Sequence, residues 1–293
     1  MNLTFREQVG SNIILVFLTI VTLLTLYPVW YVTMYAVSDP GDAMGGGAFL
    51  VPQGFSLIGF RFMLNSGNVY RAYGNSIFRL LAGTLTNITL TATLAYPMSR
   101  RRFYGRNTIS FIIFFTMLFN GGMIPLYLLV RSFGLLDSLW ALIIPTAISA
   151  YNFFIMKNYF QSVPQELEES AVIDGAGPLR LLVQVFLPVA KPVIAAVSLF
   201  YAVYHWNEYF TGVLYINSQE KEILQLFLRR LFSSSAVSGM DSSMSTALGE
   251  LGELTDSTMR MVAIMVSLIP MMVLYPFIQR HYVKGLMIGS IKG

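Results

Sequence analysis

Six apolar stretches recur along the chain, at 13–37, 77–98, 108–130, 139–156, 193–216 and 259–278. Crossing a bilayer's hydrocarbon core takes about 20 mainly apolar residues in helical form, because only a helix or a closed barrel satisfies its own backbone in lipid. The pattern therefore predicts an all-α, polytopic membrane protein with about six transmembrane helices, residues 1–293 forming a single membrane domain. The first stretch is too long for a signal-peptide core and lacks a small-residue cleavage site, so it reads as a retained helix. Pro28, Pro97, Pro125, Pro145 and Pro270 lie within or at the edges of the stretches. Neighbouring helices in a bundle can satisfy the carbonyls that such prolines free.

Composition narrows the chemistry. Only 12% of the 293 residues are charged, about half the share of an average soluble domain. The absence of cysteine excludes disulfides, thiolate metal sites and cysteine nucleophiles. His205 and His281 are too few and too far apart for a metal centre without carboxylate help, and His205 is expected to be packed or interfacial. No segment matches G-x-x-x-x-G-K-[ST], so any ATP must be held by another chain. The net charge of +4 fits positive loops on one side of a bilayer better than nucleic-acid binding.

Orientation follows from the placement of Lys and Arg. With a cytoplasmic N-terminus, eleven of the nineteen lie inside, and the run Arg100, Arg101, Arg102 with Arg106 decides the matter. Both termini, the segment 157–192 and the tail 281–293 then face the cytoplasm. Two long outer loops remain, 38–76 with turn-forming glycines and 217–258 with an amphipathic piece at 224–232 followed by a Ser-rich run.

The segment 157–192 is a polar, helix-forming insert between long apolar stretches and carries Glu166, Glu168, Glu169 and Asp174. Ser162 followed by Gln165 predicts a capping box, with Pro164 in the first turn of a short helix. Asp174-Gly175-Ala176-Gly177 should break that helix, and Pro178 suits the first turn of a second one running to Leu187. Pro188 and Pro192 mark entry to the next span. Two short helices at a tight corner make a rigid handle that another protein could grip.

The spacing Glu169-Ser170-Ala171, three residues, Gly175, nine residues, Val185-Phe186-Leu187-Pro188 resembles the EAA loop of ABC-importer permeases, E-A-A-x3-G-x9-I-x-L-P. Ser170 and Val185 are mild departures. The resemblance implies a coupling helix seated in a cleft of an ATPase subunit, with Glu169, Ser170, Ala171, Asp174, Gly175 and Ala176 at the contact. Leu187 and Pro188 would set the angle back into the membrane. The ending from Val283 to Gly293 resembles the tail of the six-span maltose-type permeases, implying that Lys284, Gly285, Gly289, Lys292 and Gly293 reach between the ATPase subunits. The same likeness implies a second homologous permease, an ATPase homodimer holding ATP and magnesium, an extracytoplasmic sugar-binding protein, and residence in a bacterial inner membrane. Cofactors on this chain itself are not implied. The Ser-rich outer loop and the ending His281-Tyr282-Val283-Lys284-Gly285 look most like permeases for complex or acidic oligosaccharides such as alginate.

Trp206-Asn207 resembles a pair common in carbohydrate permeases, so Trp206, Asn207 and Glu208 are candidates for the substrate pathway, although aromatic packing near the outer face is the simpler reading. Arg79, one turn inside the second span, is expected to snorkel to the outer headgroups. A secondary transporter or channel is the competing class and would need buried acids as ion sites. Glu208 is the only acid close to qualifying. A membrane enzyme would need a catalytic pair or metal set, for which the sequence offers no residues.

Overall fold

The computed structural model describes residues 5–65, 67–233 and 257–272. Its helices are α1 (Phe5–Ala36), α2 (Pro40–Ala43), α3 (Ile58–Asn65), α4 (Gly67–Ser99), α5 (Arg106–Leu118), α6 (Met123–Ser132), α7 (Ala150–Ser162), α8 (Gln165–Ile173), α9 (Pro178–Leu181), α10 (Leu187–Val189), α11 (Lys191–Asn207), α12 (Phe210–Tyr215) and α13 (Leu224–Ser233). The last, α14, is Ser257–Met272. The described residues contain no strand, only an isolated bridge between Ser38 and Phe55.

Each of the six apolar stretches carries helix, but among the described residues only two hold a single helix long and apolar enough to cross a membrane. The portion Gly10–Ala36 of α1 and the whole of α4 are single apolar rods of 27 and 33 residues, about 40 and 50 Å at helical rise. The hydroxyls of Thr19, Thr22 and Thr33 on α1 donate to the carbonyls of Leu15, Leu18 and Val29 at 2.7–2.8 Å. Folded back in this way, they present little polarity to lipid. Three further apolar segments bend: 119° between α5 and α6, 53° between the 3-10 turns Leu139–Thr146 and α7, and 86° between Pro178–Val189 and α11, the last just ahead of the predicted span 193–216. At the first bend Asn120 Oδ1 accepts from the Gly122 amide at 2.8 Å, and at the second Ser149 caps α7 through the Asn152 amide. The predicted span 193–216 is also interrupted, α11 ending at Asn207 and α12 restarting at Phe210. Pro270 falls in α14, and residues 273–278 of the sixth stretch lie outside the described residues.

Among the described residues, contacts divide the chain into two compact units, one of residues 5–65 and 67 with 228–233 and 257–269, and one of 68–227 with 270–272. In the first, Tyr35, Ala43 and Phe49 form a small core joined by Tyr31, Met34 and Met261, and Thr258 and Val262 lie close against Gly59. In the second, the main core gathers Ala92, Ala95, Tyr96, Phe153, Met156, Phe160, Leu181, Leu182, Phe186 and Val197. It unites the last turns of α4, the body of α7, the segment from α9 to α10, and α11. A smaller cluster around Val130, Leu142, Tyr215 and Ile223 lies elsewhere in the same unit.

Candidate functional site

The acidic segment folds as a corner. Helix α8 ends on Asp174, and Gly175 follows with φ +78°, a left-handed conformation that costs L-residues about 1–2 kcal/mol and glycine almost nothing. The Gly175 amide donates to the Val172 carbonyl at 3.0 Å and the Ala176 amide to the Ala171 carbonyl at 2.9 Å. This is a Schellman closure, satisfying carbonyls the helix end would otherwise strand. Ala171 and Ala176, the two residues it joins, both pack against the main core. Pro178 then opens the second arm, which runs through a π-helical turn, Leu182–Phe186, into α10. Leu181, Leu182 and Phe186 are buried there, Phe186 completely.

The predicted capping box does not form. Ser162 is still inside α7 and its hydroxyl donates to the Tyr159 carbonyl, while Gln165 turns to Glu169, with Nε2 to Oε1 at 2.8 Å. Val163 and Pro164 are extended, so proline sits before the first turn of α8 with no side-chain cap. The corner is instead held by Arg100. Its Nη1 reaches Glu168 Oε2 at 2.7 Å, Nε bonds the Ser99 hydroxyl, and Nη2 bonds the Phe160 carbonyl. The guanidinium also lies 4.6 Å from the Phe186 ring centroid. One side chain thus ties the end of α4 to α7, α8 and the second arm.

The motif residues separate by face. Glu169, Ser170, Asp174, Gly175 and Pro188 are exposed, whereas Ala171, Ala176 and Leu187 are half-buried against the core. Beside the exposed acids, Ile173 is 85%, Leu179 73% and Val172 53% exposed. That apolar tip was not foreseen from the acids, although Val172-Ile173 at the helix end was its signal. The tail residues Lys284, Gly285, Gly289, Lys292 and Gly293 lie outside the described residues.

A second set of polar groups runs inside the bundle. Ser76, Arg79, Gly83, Asn87 and Thr91 are buried at helical spacing along one face of α4. Arg79 does not snorkel: it is wholly buried, its Nη2 meeting Glu208 Oε2 at 2.9 Å and its Nη1 the Glu208 carbonyl at 2.6 Å. A charge so placed is held by pairing, and the break between α11 and α12 supplies both oxygens. Glu208 also accepts the Thr211 amide at 3.0 Å and the Thr211 hydroxyl. Nothing in the sequence signalled this pairing, since 129 residues separate the two and several other arginines lie near spans. Further along, Asn87 Nδ2 donates to the Thr146 carbonyl, and the hydroxyls of Thr91 and Tyr201 are 2.7 Å apart. Opposite Gly83, the His205 ring lies so close that a Cβ there would stand 2.4 Å from Nε2.

The three pathway candidates point to different surroundings. Trp206 is buried, its ring centroid 6.2 Å from that of Tyr73. Asn207 is exposed and folds back to the Val203 carbonyl at 3.0 Å, while Glu208 is committed to Arg79 and Thr211.

Apolar helices long enough to cross a membrane, with an exposed acidic corner anchored to the core, define a membrane protein built to contact a further component. A model of the binding-protein-dependent transport system inner membrane component matches residues 87–288, and the chain belongs to that family. It is 41% identical over 98% of its length to the whole of the polygalacturonan/rhamnogalacturonan transport system permease protein YtcP of Bacillus subtilis (strain 168). It is 38% identical to the protein LplC of the same organism, over 95% of this chain and 93% of that one. In the crystal structure of a bacterial ABC transporter involved in the import of the acidic polysaccharide alginate, one chain superposes with a TM-score of 0.89 at 31% identity. That match covers 96% of this chain and 99% of the other. The chain is therefore a transport subunit rather than an enzyme, and an inner membrane component.

Proposed function

We propose that this chain is the permease of an ATP-driven importer of oligosaccharides, acidic ones among them. The relatives named for polygalacturonan/rhamnogalacturonan transport and for import of alginate support the substrate class. The observation that carries the mechanism is the clamped corner: exposed acids and an apolar tip on α8, anchored through Ala171, Ala176 and Arg100 to the core of the bundle. A part that is exposed at one end and fixed at the other transmits force.

In this reading residues 1–293 are one permease domain, with 157–192 and the tail 281–293 on the cytoplasmic side together with both termini. Glu169, Ser170, Asp174 and Gly175 meet an ATPase homodimer, Ala171, Ala176, Leu187 and Pro188 set the corner's angle, and the tail residues Lys284 to Gly293 reach between the ATPase subunits. ATP and magnesium are held by that partner. A second, homologous permease completes the pathway, and a loaded extracytoplasmic sugar-binding protein triggers ATPase closure. Closure moves the corner, and the corner moves α7 and α11. Trp206, Asn207 and Glu208 line or brace the outer part of the pathway, Asn207 being the exposed member.

Gly175→Asp tests this reading. Nothing lies within 4 Å of a Cβ at that position, but its φ of +78° costs an L-residue about 1–2 kcal/mol. Gly175→Asn carries the same strain without the charge and is the control, both variants inserting normally while only the added charge obstructs the contact. Substrate-stimulated ATPase activity of the assembled transporter should fall at least tenfold at unchanged membrane levels. Activity at the wild-type level would overturn the docking assignment.

A further inference from the structure

The turn between α4 and α5 carries Arg100, Arg101 and Arg102, and with Arg106 at the start of α5 they line a cleft of about 1190 Å³ whose far wall is the α7–α8 turn and α8 with Glu168 and Glu169. Its charges do not cancel. Glu168 is taken by Arg100, and Glu169 accepts from Gln165. Arg101, Arg102 and Arg106 form no salt bridge among the described residues. Arg101 and Arg102 are exposed and Arg106 half-buried. The cleft also receives the start of the 13-residue helix α5, whose cap, Gly105, offers no side chain to the first-turn amides. Guanidinium forks and an open helix N-terminus recognise the same chemistry, the oxygens of a phosphate.

The surroundings select the source of that phosphate. Beyond a polar first turn with Asn107, Thr108 and Ser110, α5 turns apolar, with Phe111 64%, Ile112 56% and Phe115 46% exposed. Tyr104, between the arginines, is 99% exposed, as an aromatic at the headgroup level would be. Charge in the cleft and a bare apolar helix face beside it match the two ends of a lipid. We propose that this cleft binds the phosphate of an anionic phospholipid, Arg101, Arg102 and Arg106 holding the headgroup while its acyl chains lie along α5. The proposal depends on the chain being membrane-embedded and not on its sugar; because Glu169, Val172 and Ile173 of the far wall also belong to the proposed ATPase contact, it is tested on the chain free of that partner.

The test is titration of the full chain, purified in neutral detergent, with phosphatidylglycerol or phosphatidylcholine, bound lipid being counted by native mass spectrometry. Phosphatidylglycerol should bind at least tenfold tighter. Each arginine changed to glutamine should weaken it roughly fivefold, and the triple variant R101Q/R102Q/R106Q on the order of 100-fold. Ser162→Glu keeps every arginine, and hence the insertion signal, yet places an acid on the far wall; it should weaken binding severalfold. Equal affinity for the two lipids, or phosphatidylglycerol binding unchanged in both the triple variant and Ser162→Glu, would overturn the proposal. Displacement of the lipid by millimolar inorganic phosphate, with phosphate then occupying the cleft, would overturn the lipid assignment in favour of a free anion.

Discussion

Arg100 and Glu168 lie 68 positions apart in sequence and 2.7 Å apart in space, the guanidinium joining the last turn of α4 to the acidic helix α8. Both side chains are largely shielded, at 16% and 25% exposure. The pair is thus a strut between a membrane rod and the corner that another protein is proposed to move. Glu168→Gln removes the charge and keeps the shape. It should cost roughly 1–3 kcal/mol of local stability and uncouple transport from ATP hydrolysis severalfold, read as sugar uptake per ATP in proteoliposomes. Unchanged stoichiometry would show the strut to be dispensable.

The Arg79–Glu208 pair predicts a strong asymmetry between single and double changes. Removing one partner leaves a buried, uncompensated charge, at about 3–5 kcal/mol. Arg79→Met or Glu208→Met alone should therefore sharply lower the detergent-solubilised protein's unfolding temperature. The double variant should recover much of that loss, since neither charge remains. Additive losses would mean that the two residues act independently.

Gly83 exists where it does because the His205 ring occupies the space of a Cβ, 2.4 Å from Nε2. Gly83→Ala should cost about 1–3 kcal/mol through displacement of the ring and its helix. Adding His205→Ala should remove most of that cost, a non-additivity that a double-mutant cycle detects. If alanine at 83 is neutral with His205 present, the close packing is not what holds α4 to α11.

Asp137 sits in the loop before the 3-10 turns and accepts from the Ser218 and Asn217 amides, the Ser218 hydroxyl and Lys221. The Ser218 amide above all, then the Asn217 amide, the Ser218 hydroxyl and Lys221, hold its carboxyl well below the usual carboxylate range against the opposing effect of burial. Because the folded protein depresses this pKa, the carboxylate contributes stability in full above the ordinary range, about 4. That contribution is lost as pH falls below it towards the folded value. Wild type should be more stable than Asp137→Asn at neutral pH, and the gap should close in acid. A gap constant from pH 7 to pH 3 would contradict the ionised role.

The apolar runs reveal the all-α membrane class on their own, because a 20-residue stretch without charge has few other places to go. The corner is equally local: acids, Gly175 and Pro178 act within a dozen residues, and the Schellman closure formed where the glycines stand. Short-range signals failed where a longer-range partner competed. Ser162 stayed in α7 instead of capping α8, and the corner's hold passed to Arg100, sixty or more residues away. Arg79 looked free to reach the headgroups until the chain broke at Glu208 and offered two oxygens inside the bundle. Hydropathy and turn chemistry depend on neighbours in the chain and can be read from it. Which buried charge finds which partner, which spans bend, and which side chain needs a glycine opposite it depend on close packing between distant segments, and only the tertiary structure decides those.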